Sequence, residues 1–150
     1  MITTRRATPA DIPVLIDFQQ RLAQETENIA LDAVVLQQGL QNLMADPAKG
    51  FYVVAELDGA IAGCHMVTYE WSEWRNGTVW WLHSLYVPVA YRQRGVFRAM
   101  FQALTKTVEA DPSLRGLRLY VDKTNARAMR VYDAMDMNGE HYTVYEKMKS

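Results

Sequence analysis

Arg92-Gln93-Arg94-Gly95-Val96-Phe97-Arg98 stands between an apolar strand and an amphipathic helix, and its reading decides the fold. Upstream, Val79-Trp80-Trp81-Leu82-His83-Ser84-Leu85-Tyr86-Val87 is rich in β-branched and aromatic residues. Pro88 ends it, because proline cannot donate to a ladder. Downstream, Phe97, Met100, Phe101 and Leu104 recur at helical spacing. A glycine-bearing turn entering a helix presents unpaired N–H groups and the positive end of the helix dipole. With three arginines in seven residues it is a candidate site for a phosphate or pyrophosphate. The competing reading is a solvated basic turn.

Outward from that loop, the chain reads as one compact domain over residues 1–150, with 49% hydrophobic and 22% charged residues. A net charge of −1 argues against a general nucleic-acid binder, which needs a broad basic surface. No apolar run approaches the ~20 residues of a membrane helix, and the N-terminus lacks the apolar core of a signal peptide. A single cysteine, Cys64, excludes an internal disulfide and suits a reducing compartment, so a cytoplasmic protein is expected. No Cys/His cluster has metal-ligand spacing, and no nucleophile elbow or P-loop occurs.

The remaining elements follow from period and punctuation. Residues 2–6 form a short strand, and Thr8-Pro9-Ala10-Asp11 opens a helix running to about Gln24. A second helix covers Asp32 to Ala45, with Asp32 as N-cap and Val35, Leu36, Leu40 and Leu43 facing inward. Phe51–Leu57 and Ala60–Tyr69 form a hairpin about Asp58-Gly59, and Arg75-Asn76-Gly77 marks another turn. Leu117–Val121 is a strand, Asn125–Met135 a helix and His141–Met148 a last strand. The order is β-α-α-β-β-β-α-β-α-β, a mixed α/β sheet.

The loop and this order resemble the GNAT-type N-acetyltransferases, whose motif A reads [Gln/Arg]-x-x-Gly-x-[Gly/Ala]. Arg92 and Gly95 match it. Phe97 stands where a small residue is usual, so its ring is expected to point away from the cofactor. A second segment is similar to the family's closing pattern, Asn-x-x-Ala…Tyr-x-x-x-Gly-[Phe/Met]. Asn125, Ala128, Tyr132 and Met137 match, and Asp136 replaces the glycine. The resemblance implies a mostly antiparallel sheet with a splayed central strand pair and flanking helices. It also implies acetyl-CoA as acetyl donor and an amine acceptor. Many relatives dimerise, so a homodimer is compatible with it.

The same resemblance suggests roles. Leu85, Tyr86 and Val87 would pair with pantetheine as a missing strand would, and Leu85 N–H would hold the acetyl carbonyl oxygen. Gln93, Arg94, Gly95, Val96, Phe97 and Arg98, with Arg92, would hold the pyrophosphate. Asn125 would contact the pantetheine arm. Tyr132 would protonate the departing thiolate, for which an unperturbed pKa of about 10 suits it. Asn125 and Tyr132 are seven residues apart, hence within ~20° on one helix face. On residue type alone they also read as an N-cap and a core tyrosine.

The base is a choice among several groups. His83 shares period-2 parity with Trp81, Leu85 and Val87, and Leu82-His83-Ser84-Leu85 resembles the matching strand of arylalkylamine N-acetyltransferases. There a histidine carries the amine's proton away through water. Glu70 and Glu73 are alternatives that also suit a cationic acceptor, and Asp122 is a further acceptor-binding candidate. Trp71, beside Glu70, is a candidate aromatic wall for an ammonium group, whereas Trp80 and Trp81 must take opposite faces. Two other readings stay open: a non-catalytic acyl-CoA-binding or sensing module, and a nucleotide-binding regulator using the Arg92–Arg98 loop.

Overall fold

The structure, a computed structural model, describes residues 1–149 and divides into two compact units, Met1–Arg118 and the segment from Leu119 onward. The first unit carries five strands: β1 (Ile2–Arg6), β2 (Phe51–Leu57), β3 (Ala60–Ser72), β4 (Gly77–Tyr86) and β5 (Leu114–Arg118). They lie in the order β1-β2-β3-β4-β5, antiparallel except for the parallel pair β4–β5. The helices are α1 (Ile12–Glu27), α2 (Ala33–Ala45) and α3 (Val96–Ala110), and the second unit holds α4 (Ala126–Ala134). No helix among the described residues is long and apolar enough to cross a membrane.

The turns form where their residues permit left-handed backbone. Asp58 and Gly59 take φ of 53° and 84°, the pattern of a two-residue hairpin. Asn76 takes 48° before β4, and Asn28 takes 54° where α1 ends. Asp32 caps α2 as expected, its carboxylate accepting from the Val34 and Val35 amides at 2.9 and 3.1 Å. That cap turns Val35 outward to 64% exposure, so the inward face of α2 is Leu36, Leu40 and Leu43 without it.

Helices cover both faces of the sheet. Under α1 and α2, Leu15, Phe18, Leu40 and Leu43 pack with Tyr52, Val54, Cys64 and Tyr86. Under α3, Val96 and Met100 pack with Ala55, Leu57 and Ala62. Each fully buried Leu or Met contributes about 2 kcal/mol by leaving water. Gly63 lets α3 come close, since a Cβ there would lie 2.9 Å from the Met100 side chain and 3.0 Å from that of Val96.

Two expected strands differ. The fifth lies at Leu114–Arg118 rather than 117–121, because Leu114, Gly116, Leu117 and Arg118 are the residues that find register on β4. His141–Met148 forms no strand. Its alternation finds no ladder among the described residues, and Tyr142, Val144, Tyr145 and Met148 stay exposed. A period-2 pattern records a preference, but a strand exists only when a partner edge takes its amides and carbonyls.

Candidate active site

The site-building feature is a break in β4. Cys64 lies opposite Tyr86 and Met66 opposite His83, so Ser84 and Leu85 together face the single residue His65. This is a β-bulge, and Ser84 takes φ +56°, a left-handed conformation that costs a non-glycine residue roughly 1–2 kcal/mol. Gln19, buried in α1, holds it: its Nε2 donates to the Ser84 carbonyl at 3.0 Å. The Cys64 thiol, pushed up to about 12 by burial and hence protonated, donates to the same oxygen at 3.6 Å.

The bulge inverts the strand's alternation. Trp80 shares a groove with Met100 and Leu104 of α3, so Trp81 and His83 take the α1–α2 face. Beyond the bulge, Leu85 and Val87 pack with Val96 and Met100 under α3, while Tyr86 joins the core under α1 and α2. The expected alignment of His83 with Leu85 and Val87 is therefore not realised. One inserted residue puts them on opposite faces.

On the α1–α2 face, His83 Nε2 and Thr68 Oγ1 lie 2.7 Å apart, and the His83 ring stacks on Trp81 with centroids at 6.3 Å. Burial lowers the His83 pKa below its ordinary value, so the ring is neutral at neutral pH. Glu70 accepts from Trp81 Nε1 at 2.8 Å and from Arg118 at 2.7 and 3.0 Å. These bonds, Trp81's first, hold its carboxyl below the usual range, which works against a role as base. Trp71 follows Glu70 on β3 and so takes the other face, 62% exposed. Glu73 lies exposed in the turn beyond.

β5 ends at Arg118 opposite Trp81, and β4 runs on to Tyr86 with no strand on that edge among the described residues. Past Pro88 the chain makes a short 3₁₀ turn, Val89–Tyr91, and the Arg92–Arg98 loop. Gln93 and Gly95 take φ of 62° and 84°. The first bond of α3 runs from Ala99 N–H to Gly95 C=O at 3.0 Å, so the Val96, Phe97 and Arg98 amides precede it. Phe97 stacks on Phe101, one helical turn on, with ring centroids at 5.8 Å. Arg94 and Arg98 are exposed. Arg92 has an internal role: Nε donates to the Val87 carbonyl and a terminal nitrogen to Glu25, both at 2.8 Å. Glu25 also accepts from the Tyr86 hydroxyl at 3.2 Å.

In the second unit, the Asn125 side chain accepts from Ala128 N–H at 3.1 Å and caps α4. Tyr132 lies on that helix, half-buried, its pKa raised by burial, so its hydroxyl keeps its proton. Asp122 accepts from the Thr124 amide at 2.8 Å and from its hydroxyl, an Asx turn feeding α4, and these bonds lower its pKa.

A strand edge with no neighbouring strand among the described residues, a bulge and an amide-rich helix start thus follow one another in one continuous segment. The family model described as Acetyltransferase (GNAT) family matches residues 14–137. The chain belongs to the GNAT acetyltransferase family.

The crystal structure of a possible acetyltransferase from Clostridium difficile 630 is 36% identical, with a TM-score of 0.93 over 100% of this chain and 99% of that one. A predicted acetyltransferase with acetyl-CoA from Clostridium acetobutylicum shares the fold at 16% identity, with a TM-score of 0.72 over 97% and 96% of the two chains. An aminoglycoside acetyltransferase from an uncultured soil metagenomic sample, in complex with sisomicin, does so at 15% identity. Its TM-score is 0.75 over 99% of this chain and 96% of the other. No curated protein matches the sequence.

This acetyltransferase places Leu85, Tyr86, Val87 and the loop from Arg92 to Arg98 in one stretch, and His83 just before it on the opposite face from Leu85. Glu70, Trp71 and Glu73 do not form a single wall. Gln19, Thr68 and Glu25, which bond to Ser84, His83 and Tyr86 of this stretch, were not singled out by the sequence reading. Gln19 left a signal, a polar residue on the apolar face that includes Leu15 and Leu22. Glu25 left none, because its partners are 61 and 67 positions away.

Proposed function

We propose that this acetyltransferase moves an acetyl group from acetyl-CoA directly to a primary amine. The single observation that carries the reading is the β4 edge past Trp81, beside which no strand lies among the described residues, running through its bulge into the loop that starts α3. A carrier with an amide-bearing arm and a pyrophosphate fits that run: the arm beside Leu85, Tyr86 and Val87, the pyrophosphate at the amides from Gln93 to Arg98. Arg94 and Arg98 add positive charge, and Gly95 supplies the left-handed turn.

The bound donor supplies a thioester whose carbonyl carbon the amine attacks, forming the C–N bond as the C–S bond breaks. The Leu85 N–H donates to the carbonyl oxygen as negative charge gathers there. Tyr132 of the second unit, protonated at neutral pH, stands at the position that the family's closing pattern gives to the proton donor for the departing sulfur. His83, neutral and hydrogen-bonded with Thr68, takes up the amine's proton through water. Positioning supplies much of the rate, consistent with so few reactive side chains. Glu70, neutralised by Arg118, lends little attraction to a cationic acceptor.

Calorimetric titration with acetyl-CoA, against ATP and NADH, tests the reading. Micromolar binding of acetyl-CoA alone, about −8 kcal/mol, supports it, as does thiol release on adding amines. Absence of binding overturns it.

A further inference from the structure

We infer that Gln19 is a positioning residue for acetyl transfer, acting through the peptide that joins Ser84 to Leu85. The inference rests on the reading above, in which the Leu85 N–H meets the acetyl carbonyl.

A peptide is planar and trans, so its C=O and N–H point in opposite directions. No cis bond occurs among the described residues. The C=O of this peptide belongs to Ser84 and its N–H to Leu85. Fixing the carbonyl therefore fixes the direction of the amide. Gln19 Nε2 holds the carbonyl at 3.0 Å from the α1 side, so the Leu85 N–H is aimed away from α1. Ser84 sits at φ +56°, where a residue with a Cβ gains nothing from its own backbone preference, so the orientation needs an outside hold.

The same bond changes the amide's strength as well as its aim. A donor on the carbonyl draws electron density from the peptide nitrogen and makes its N–H a better donor, the cooperative effect seen along hydrogen-bond chains. Gln19 is 6% exposed, so water does not screen the bond or readily replace it. Cys64 Sγ lies 3.6 Å from the same oxygen, a weaker donor that does not substitute for an amide. A glutamine in an otherwise apolar helix face under β4 thus has a function that packing alone does not require.

The test separates aim and polarisation from stability. Gln19→Met keeps the volume and removes the donor, and Gln19→Met with Ser84→Gly removes the strain that could otherwise unfold the variant. The readouts are affinity for acetyl-CoA relative to CoA by calorimetry, and the infrared carbonyl stretch of bound [1-13C]acetyl-CoA. In the wild type the stretch moves to lower frequency on binding. In both variants that shift shrinks and the preference for acetyl-CoA over CoA falls about threefold to tenfold, while CoA affinity stays within about twofold. An unchanged carbonyl frequency in Gln19→Met overturns the inference. So does a double variant that regains the full shift, since Gln19 would then only support the bulge. Failure of the wild type to bind acetyl-CoA overturns the proposed function instead.

Discussion

Arg92 of the loop before α3 and Glu25 near the end of α1 meet at 2.8 Å across 67 positions of sequence. Arg92 also donates to the Val87 carbonyl, and Glu25 accepts from the Tyr86 hydroxyl, so four residues join α1, the end of β4 and the loop. Both charged side chains are about a third exposed, which makes the ion pair a weak contributor to folding, about 0–1 kcal/mol. Its value is in holding the loop's entry. Glu25→Gln is expected to leave the melting temperature nearly unchanged and to weaken acetyl-CoA binding about fivefold by calorimetry, because ordering the loop then falls to the ligand. Unchanged affinity would remove the loop from Glu25's influence.

Gly95 makes a cleaner case. A Cβ there would meet only the Ile2 side chain at 3.9 Å, so space is not the constraint, whereas φ of 84° is. Gly95→Ala should destabilise by about 1–2 kcal/mol in denaturant titration, and Gly95→Asn by less, since asparagine tolerates left-handed backbone. Equal losses for the two would point to contact rather than conformation.

Tyr132 carries its proton at neutral pH, as a tyrosine ordinarily does with a pKa of about 10, and burial raises its pKa further. Tyr132→Phe should lower kcat about a hundredfold, with acetyl-CoA affinity within twofold. A large loss of affinity with kcat retained would make the residue a binding group instead of an acid.

His83 sets the acid side of the pH profile. Burial lowers its pKa, so the neutral form that accepts a proton persists to pH below 6.5. The acid limb of kcat/KM should therefore fall below pH 6.5, and His83→Gln should flatten it with a roughly tenfold or greater loss of rate. A limb that survives the substitution would assign the titration to another group.

His65 governs acid stability. It is 2% exposed, its Nδ1 lacks a partner, and burial lowers its pKa from 6.5 to about 4. Above pH 6.5 both folded and unfolded chains hold it neutral, and it contributes no pH dependence. As pH falls below 6.5 the unfolded chain takes up the proton first, so folding stability declines, by roughly 3 kcal/mol on reaching pH 4. Below that pH the folded state protonates as well and the loss levels off. His65→Leu should flatten most of the decline between pH 6.5 and 4 in urea titrations; His83 leaves a smaller remainder of the same sign. A decline that starts only below pH 4 would belong to carboxylates such as Asp11, whose pKa Arg5 lowers.

Much was legible because it is local. Asp32 as a cap, Asp58-Gly59 as a turn, the arginine-rich entry to α3 and the opposite faces of Trp80 and Trp81 each follow from residue type and spacing within a few positions. The His83 alignment failed for a physical reason. Period-2 counting assumes an unbroken ladder, and no residue at Ser84 or Leu85 announces a bulge; serine at positive φ is uncommon without outside support. The strand at His141–Met148 failed because alternation supplies no partner edge.

The family pattern, the helix starts, the turns and the residue types able to bind an anion or move a proton are written in the chain's local order, since these depend on short-range backbone and side-chain preferences. Only the tertiary structure decided which of them face one another. The bulge that turns Leu85 away from His83 depends on one inserted residue, and the Gln19 bond to Ser84, the Arg92–Glu25 clamp and the pairing of Glu70 with Arg118 join residues 48 to 67 positions apart. Such contacts exist only once the sheet and α1 have packed, because burial is what makes an unpaired amide or carbonyl costly enough to demand a partner.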